Sequence, residues 1–195
     1  MDNAFRLAES QHRYQLRKGT KIPYISHLMA VASLVLEHGG TQEQAKAALL
    51  HDVIEDTGLT YDELRDVVGT AVADIVQNCT HVDEPEKTDE AWKRKKQHYL
   101  DRLISDGRID KDTLADFVLI TLADKTHNVE STLRDVNRDG KSNVFERFNV
   151  GYDLQKWWYS SLAAAFETLA VSRDEKLRPL LERFLTAISE IFPQS

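Results

Sequence analysis

The sequence predicts an all-α fold. Apolar residues recur at helical spacing: Leu28, Val31, Ala32 and Val35 follow the pattern i, i+3, i+4, i+7. No segment alternates between apolar and polar residues for long enough to predict a strand. The chain has only 8 glycines and 4 prolines in 195 residues, which disfavours an all-β fold with its many turns.

Capping and stop signals divide the chain into successive predicted helices. Thr followed three residues later by Gln or Glu forms a capping box, and glycine ends many helices. The first predicted helix lies around 28–35 and ends at Gly39 and Gly40, and the second spans 42–56, capped by Thr41 with Gln44. A short third helix begins at Thr60 with Glu63 and ends near Gly69, and a fourth is marked by Val72, Ile75, Val76 and Cys79. Further helices are predicted over 92–104, 112–133, 145–171 and 174–192. Residues 81–88, with Pro85, and residues 136–143 are predicted loops.

Length, charge and cysteine content limit the possible classes of protein. A length of 195 residues predicts one domain over 1–195, with a motif core over about 10–135 and C-terminal helices over 143–192 packed on it. The net charge of −7 argues against nucleic-acid binding through a basic surface. No apolar run approaches membrane-spanning length, and no secretory signal is visible. With Cys79 as the single cysteine, we expect a cytoplasmic protein.

An unusual density of charge occurs in one apolar stretch. His51 and Asp52 follow Ala-Ala-Leu-Leu, and Glu55 and Asp56 come three residues later. Buried charges are costly unless they are paired or bound to a metal ion. The stretch therefore predicts a site built around a cation.

Four residues form a plausible mixed nitrogen and oxygen ligand set. They are His27, His51, Asp52 and Asp124, and each stands at the edge of an apolar run. Imidazole combined with carboxylate suits Mn, Fe, Co, Ni or Zn better than Ca or Mg. A lone His on a helix is more often an ordinary core or surface residue, and a lone Asp more often a cap, so the combination carries the prediction. Four further histidines are interpreted as structural, namely His12, His38, His81 and His98.

Several segments carry a resemblance to a known family. They are 17–20 (Arg-Lys-Gly-Thr), 23–27 (Pro-Tyr-Ile-Ser-His), 47–52 (Ala-Ala-Leu-Leu-His-Asp), 55–57 (Glu-Asp-Thr) and 122–128 (Leu-Ala-Asp-Lys-Thr-His-Asn). In this order, they resemble the HD superfamily of metal-dependent phosphohydrolases, a family of helical bundles. Within it, the chain resembles the hydrolase domain of RelA/SpoT-type proteins and the small alarmone hydrolases.

The resemblance implies a role for each matching residue. It implies Mn²⁺, or another divalent transition metal, bound by His27, His51, Asp52 and Asp124. It implies that Glu55 and Asp56 act on the attacking water, and that Arg17, Lys18, Asn128 and Ser131 contact a nucleotide. The basic residues Lys93, Arg94, Lys95 and Lys96 are either phosphate contacts or a solvated helix face.

Three hypotheses for function follow. The first is a (p)ppGpp 3′-pyrophosphohydrolase acting in the stringent response, which converts ppGpp to GDP and pyrophosphate. The second is an HD phosphohydrolase of another nucleotide or phosphoester; it is favoured by departures from the family pattern, with Leu28 in place of the usual Pro and Glu130 in place of the usual Arg. The third is a nucleotide-binding regulatory module without turnover, against which the intact set of charged residues argues.

Overall fold

The computed structural model describes residues 1–80, 88–111, 113–169 and 171–193. Within these ranges the secondary structure is helical, and the only β-type pairings are isolated bridges between Leu16 and Pro23 and between Arg108 and Leu114. The all-α prediction is confirmed. The helices are α1 (Asp2–Gln11), α2 (Ile25–Glu37), α3 (Gln42–Leu50), α4 (Val53–Thr57), α5 (Tyr61–Val68), α6 (Thr70–Cys79), α7 (Asp89–Asp106), α8 (Asp116–Asp139), α9 (Lys141–Phe145), α10 (Tyr152–Thr168) and α11 (Arg178–Ile191), with a 3₁₀ turn at Val171–Arg173.

The chain divides into two compact units. The first comprises Met1–Asp83 with Asp116–Asp124, and the second comprises Glu84–Ala115 with Lys125–Ser195. The division falls inside α8. One domain over 1–195 stays a prediction. Among the described residues, no helix is both long and apolar enough for a membrane span.

Helix α3 lies at the centre of the first unit, where it packs against α1, α2 and α6. Its buried side chains include three alanines as well as two leucines, namely Ala45, Ala47, Ala48, Leu49 and Leu50. Small side chains let neighbouring helices approach closely, so α3 is enclosed over most of its surface. His51 directly follows the C-terminal end of this helix and is buried inside the unit.

The second unit has an aromatic core. Helix α10 packs against α7 and α11, and Trp158 meets Trp92 with ring centroids 6.5 Å apart. Phe166 contacts Phe184 of α11 edge-on at 5.7 Å, and both rings are fully buried. Trp158 and Phe166 of α10 therefore serve helix packing.

Both predicted capping boxes are present. The Thr41 hydroxyl accepts a hydrogen bond from Gln44 N at 3.1 Å, and the Gln44 side chain accepts one from Thr41 N at 2.8 Å. Thr60 and Glu63 make the same reciprocal pair at the start of α5. These boxes satisfy backbone N–H groups that a helix start leaves without partners, which is why α3 and α5 begin where the sequence predicts.

The helix predicted over 42–56 was wrong in one respect, because it is broken at His51 and Asp52. Helix α3 ends at Leu50, and Asp52 has φ −102° and ψ 0°, in the bridge region, before α4 begins at Val53. In an unbroken helix, neighbouring side chains project about 100° apart. At the break, His51 Nε2 and Asp52 Oδ2 approach to 3.0 Å.

Other predicted boundaries also differ from the structure. Helices α8 and α9 together replace most of the loop predicted over 136–143. Helix α8 ends at Asp139, and Gly140, which separates the two helices, has a left-handed φ of +82°. The helices predicted over 145–171 and 174–192 are shorter, and α1 was not predicted at all. The predicted loop over 81–88 lies, apart from Thr88, outside the described residues, as does Asp112.

Replacing Thr60 with Ala should lower the free energy of unfolding by about 1 kcal/mol, because it removes the cap of α5. Thr70→Ala is the matched control, since Thr70 is exposed and lies inside the first turn of α6. That control should change stability by less than about 0.5 kcal/mol. Urea denaturation followed by circular dichroism measures both, and equal effects would refute the capping account.

Candidate functional site

The four predicted metal ligands lie in the first compact unit. His27 is in the first turn of α2, His51 directly follows α3, Asp52 precedes α4, and Asp124 belongs to α8. His27, His51 and Asp124 are buried, and the Asp52 side chain is about 23% exposed. Residues almost 100 positions apart thus meet in one place.

Three of these side chains form a compact group of potential ligands. The candidate ligand atoms of His27, His51 and Asp124 all lie within 4.8 Å of one another. Asp124 Oδ1 is 3.1 Å from His27 Nε2 and 3.7 Å from His51 Nε2. Asp52 adjoins the group through His51. Two imidazoles and two carboxylates at such distances form a possible site for a divalent metal ion.

The backbone fixes the orientation of the His51 ring. Its Nδ1 lies 2.9 Å from the carbonyl oxygen of Ala48, which can only accept, so Nδ1 carries the hydrogen. Nε2 is buried and makes no hydrogen bond of good geometry, although Asp52 and Asp124 oxygens face it. An imidazole lone pair opposite two carboxylates is repulsive. A proton or a metal ion at Nε2 removes the conflict, so the donor set fits a bound cation.

The electrostatics of the two histidines differ. Burial disfavours the charged form of His51, yet the carboxylates of Asp52 and Asp124 outweigh it and raise the pKa of His51 well above its usual value. Burial lowers the pKa of His27, and Asp124 only partly opposes this. His27 is therefore neutral, and a metal ion that bound at His51 would displace a proton.

Tyr24 is a component of the site that the sequence reasoning missed. Its hydroxyl donates a hydrogen bond to Asp52 Oδ2. Burial and the charge of Asp52 raise the pKa of Tyr24, so the phenol stays a donor. Its ring also packs against His27, with centroids 5.4 Å apart. The signal was its position in the Pro-Tyr-Ile-Ser-His segment that also supplies His27.

Asp56 lies on α4 beside this cluster, and Gln15 holds it. Gln15 Nε2 donates to Asp56 Oδ2 at 2.7 Å, a contact between residues 41 positions apart. Partial desolvation raises the pKa of the Asp56 carboxyl, the Gln15 hydrogen bond opposes that rise, and the charge of Asp52 adds to it. Glu55 is exposed on the same short helix. A carboxyl with a raised pKa near a metal site is suited to proton transfer.

The comparison with protein families agrees with this geometry. The family model described as the HD domain matches residues 4–147. The chain belongs to the HD domain family. Within that family, the bifunctional (p)ppGpp synthase/hydrolase SpoT of Escherichia coli K12 is 34% identical over 143 residues, 72% of this chain and 19% of that protein. An Aquifex aeolicus protein named guanosine-3′,5′-bis(diphosphate) 3′-pyrophosphohydrolase is 40% identical over 82 residues, 42% of this chain and 12% of that protein.

Two solved structures have the same fold as this chain. A Listeria monocytogenes EGD-e protein has a TM-score of 0.69 and 26% identity, covering 86% of this chain and 99% of its own. A metazoan SpoT ortholog, described as hydrolysing ppGpp, has a TM-score of 0.70 and 21% identity, covering 95% of this chain and 93% of its own. At 21% identity, the similarity to the metazoan protein shows a shared fold alone. The chain spans about a fifth of the length of curated relatives such as SpoT.

The predicted nucleotide-contact residues of this HD domain fall in both units. In the first unit, Arg17 is half-buried in the segment after α1, and its positive charge contributes to lowering the pKa of His27. The neighbouring Lys18 is exposed. Arg17 is therefore close enough to the cluster to act on it electrostatically.

Asn128 and Ser131 belong to the part of α8 in the second unit. Asn128 follows Asp124 by four residues, one turn along the helix. The Ser131 hydroxyl accepts a hydrogen bond from Arg134 at 2.8 Å. Glu130, where the RelA/SpoT pattern has Arg, forms a two-pronged ion pair with Arg183 of α11 at 2.9 and 3.0 Å. Contact of Asn128 and Ser131 with a nucleotide stays a prediction.

The basic start of α7 lies against aromatic rings of the second unit. Lys93 Nζ is 5.0 Å from the Trp157 ring, and Lys96 Nζ is 5.0 Å from the Trp158 ring. Such cation–π contacts favour packing of these lysines along the helical core. A phosphate contact by these residues stays a prediction.

Tyr24→Phe should weaken binding of a divalent metal by about 10-fold or more, because partners of metal ligands are worth about 10–100-fold in affinity. Tyr61→Phe is the matched control, since the Tyr61 hydroxyl donates to Asp74 at an exposed position 2.6 Å away. Isothermal titration with Mn²⁺ measures both variants. Equal affinities for Tyr24→Phe and the wild type would show that Tyr24 does not support the site.

Proposed function

We propose that this HD domain is a metal-dependent phosphohydrolase, and that its substrate is guanosine 3′,5′-bis(diphosphate), which it converts to GDP and pyrophosphate. The observation that carries the proposal is the buried cluster of His27, His51 and Asp124 with Asp52 beside it and the carboxyl of Asp56 nearby. The curated relatives named as ppGpp pyrophosphohydrolases supply the choice of substrate.

The metal we propose is Mn²⁺, held by His27, His51, Asp52 and Asp124. The mixed set of imidazole and carboxylate donors fits this ion and its transition-metal neighbours. When bound, such an ion supplies Lewis acidity to a phosphate oxygen and to water. Tyr24 holds Asp52, and the Ala48 carbonyl holds His51, so two of the four donors are oriented before an ion arrives.

The proton transfers are assigned to the carboxyl groups on α4. Water attacks the phosphorus that is bonded to the ribose 3′-oxygen, and Asp56 or Glu55 accepts the proton that the water loses. The bond between that phosphorus and the 3′-oxygen breaks, pyrophosphate departs, and the 3′-oxygen takes up a proton. Partial desolvation raises the pKa of Asp56, a direction that favours its use as an acid–base group.

The nucleotide is held in this proposal by Arg17, Lys18, Asn128 and Ser131. Arg17 is the best supported of them, because its charge already reaches the histidine cluster. A guanidinium binds phosphate oxygens through two parallel hydrogen bonds, which a lysine cannot do. We propose a small nucleotide as partner and the cytoplasm as location.

A second candidate is hydrolysis of another nucleotide or phosphoester by the same cluster. The ion pair of Glu130 with Arg183 favours it, because an acidic residue occupies a position where the RelA/SpoT pattern has a basic one. That change alters the charge beside Asn128 and leaves the ligand cluster intact. The two candidates therefore differ in substrate and agree in chemistry.

Purified protein with Mn²⁺ should release pyrophosphate from ppGpp and not from a panel of ordinary nucleotides, and EDTA should abolish turnover.

His51→Ala should lose metal binding and activity together. Asp56→Asn should keep metal binding and lower kcat by about 100–10,000-fold, the contribution typical of general acid–base catalysis. Asp66→Asn, an exposed carboxylate on α5, is the control and should leave kcat unchanged.

The panel separates the candidates. Turnover of another nucleotide without turnover of ppGpp would replace the first candidate with the second. Tight ppGpp binding without any product would contradict both and support a regulatory nucleotide-binding module.

A further inference from the structure

A histidine outside the metal cluster is buried as deeply as the proposed ligands. His12 follows α1 and is 1% exposed. Its ring packs against Tyr24, with centroids 5.4 Å apart, and its Nδ1 lies 2.5 Å from Gln15 Oε1. Its Nε2 is buried and has no hydrogen-bond partner. Burying an imidazole with one nitrogen unsatisfied is costly, so an ordinary packing role accounts for it poorly.

Gln15 connects this histidine to Asp56. An ionised carboxylate only accepts hydrogen bonds, so the Gln15 side chain must turn its NH₂ group toward Asp56, 2.7 Å away. Its oxygen then faces His12, which must present the N–H of Nδ1. The requirements of the three groups agree, and they specify one direction for the chain: His12 donates to Gln15, and Gln15 donates to Asp56.

The backbone pins the middle of this chain at both sides. Gln15 N donates to His12 O at 3.0 Å, and Gln15 O accepts from Tyr24 N at 2.9 Å. The same segment therefore provides two hydrogen-bond donors, Gln15 to Asp56 and Tyr24 to Asp52. Two carboxylates of the site, on either end of α4, are each held by a neutral donor from residues 12–24.

The side chain of Asp56 depends more on a hydrogen bond for its orientation than the buried candidate metal ligands do. It is exposed, and α4 has only five residues, so helix packing alone constrains its side chain weakly. Proton transfer requires a carboxylate oxygen held at hydrogen-bond distance from the reacting water. A donor fixed from both sides restricts Asp56 to one rotamer.

We propose that Gln15, held in turn by His12, is a positioning residue that fixes the Asp56 carboxylate through Oδ2 and leaves Oδ1 to accept the proton of the attacking water. This proposal rests on the proposed hydrolase function for its catalytic consequence. The structural relation between Gln15 and Asp56 can be tested without it.

The kinetic test uses Gln15→Met, which keeps length and removes the amide. It should lower kcat about 10-fold or more and leave KM within about threefold, because misplacing a catalytic group mainly affects the chemical step. Gln97→Met is the matched control, since Gln97 Nε2 donates to Asp101 at 2.9 Å in α7. The control should leave kcat unchanged.

A double-mutant cycle separates positioning from a general loss of structure. In an Asp56→Asn background, adding Gln15→Met should change kcat by less than about twofold, because the carboxylate that it positions is already gone. The same fractional loss in both backgrounds, or no loss in either, would overturn the proposal. Replacing buried His12 can destabilise the fold, so the Gln15 variants decide.

A third readout does not depend on turnover. The ¹³C NMR titration of the Asp56 carboxyl, assigned by its absence in Asp56→Asn, should give a higher pKa in Gln15→Met, because a hydrogen bond to the charged form is lost. The charges of Asp52, His51 and His12 act on Asp56 in both proteins. If the wild type hydrolyses no nucleotide, the proposed function fails while this titration still decides the contact; an unchanged pKa would overturn it.

Discussion

The repulsion between the His51 lone pair and two carboxylates is the constraint on which the rest of the site depends. The Ala48 carbonyl holds Nδ1, so Nε2 must face Asp52 and Asp124. In a buried place this arrangement is stable only with a cation or a proton at Nε2. The helix is interrupted between α3 and α4, and this interruption brings the side chains of His51 and Asp52 side by side.

The supporting contacts come from one short segment of the chain. In residues 12–24, the Tyr24 hydroxyl donates to Asp52 and the Gln15 side chain donates to Asp56. His12 contacts both Tyr24 and Gln15. The metal cluster and the proposed proton acceptor thus share one scaffold. A change in this segment should affect metal affinity through Tyr24 and proton transfer through Gln15, two effects that can be measured apart.

Local signals made much of the fold predictable. The boxes at Thr41 and Thr60 mark the starts of α3 and α5 because their hydrogen bonds lie within four residues of sequence. The break at 51–52 was not predictable, since a contact from Tyr24, 28 positions away from Asp52, accompanies it. Helix α1 was not predicted because it begins without a side-chain cap, so no capping signal marks its start, although Ala4 and Ala8 form a buried face one turn apart.

The candidate site was predictable where it is charged. His27, His51 and Asp124 stand out as ionisable residues at the edges of apolar runs, and the structure brings them together. Tyr24 and Gln15 carry no charge, and the sequence analysis interpreted His12 as structural. Their roles depend on tertiary contacts that composition and periodicity do not encode.

The most direct test of the cation account is an anomalous difference map from crystals grown with Mn²⁺. The account predicts one strong peak within coordination distance of His27 Nε2, His51 Nε2 and an Asp124 oxygen, with Asp52 as a further ligand. A peak elsewhere, or an empty cluster with Asp52 hydrogen-bonded to a protonated His51, would contradict it.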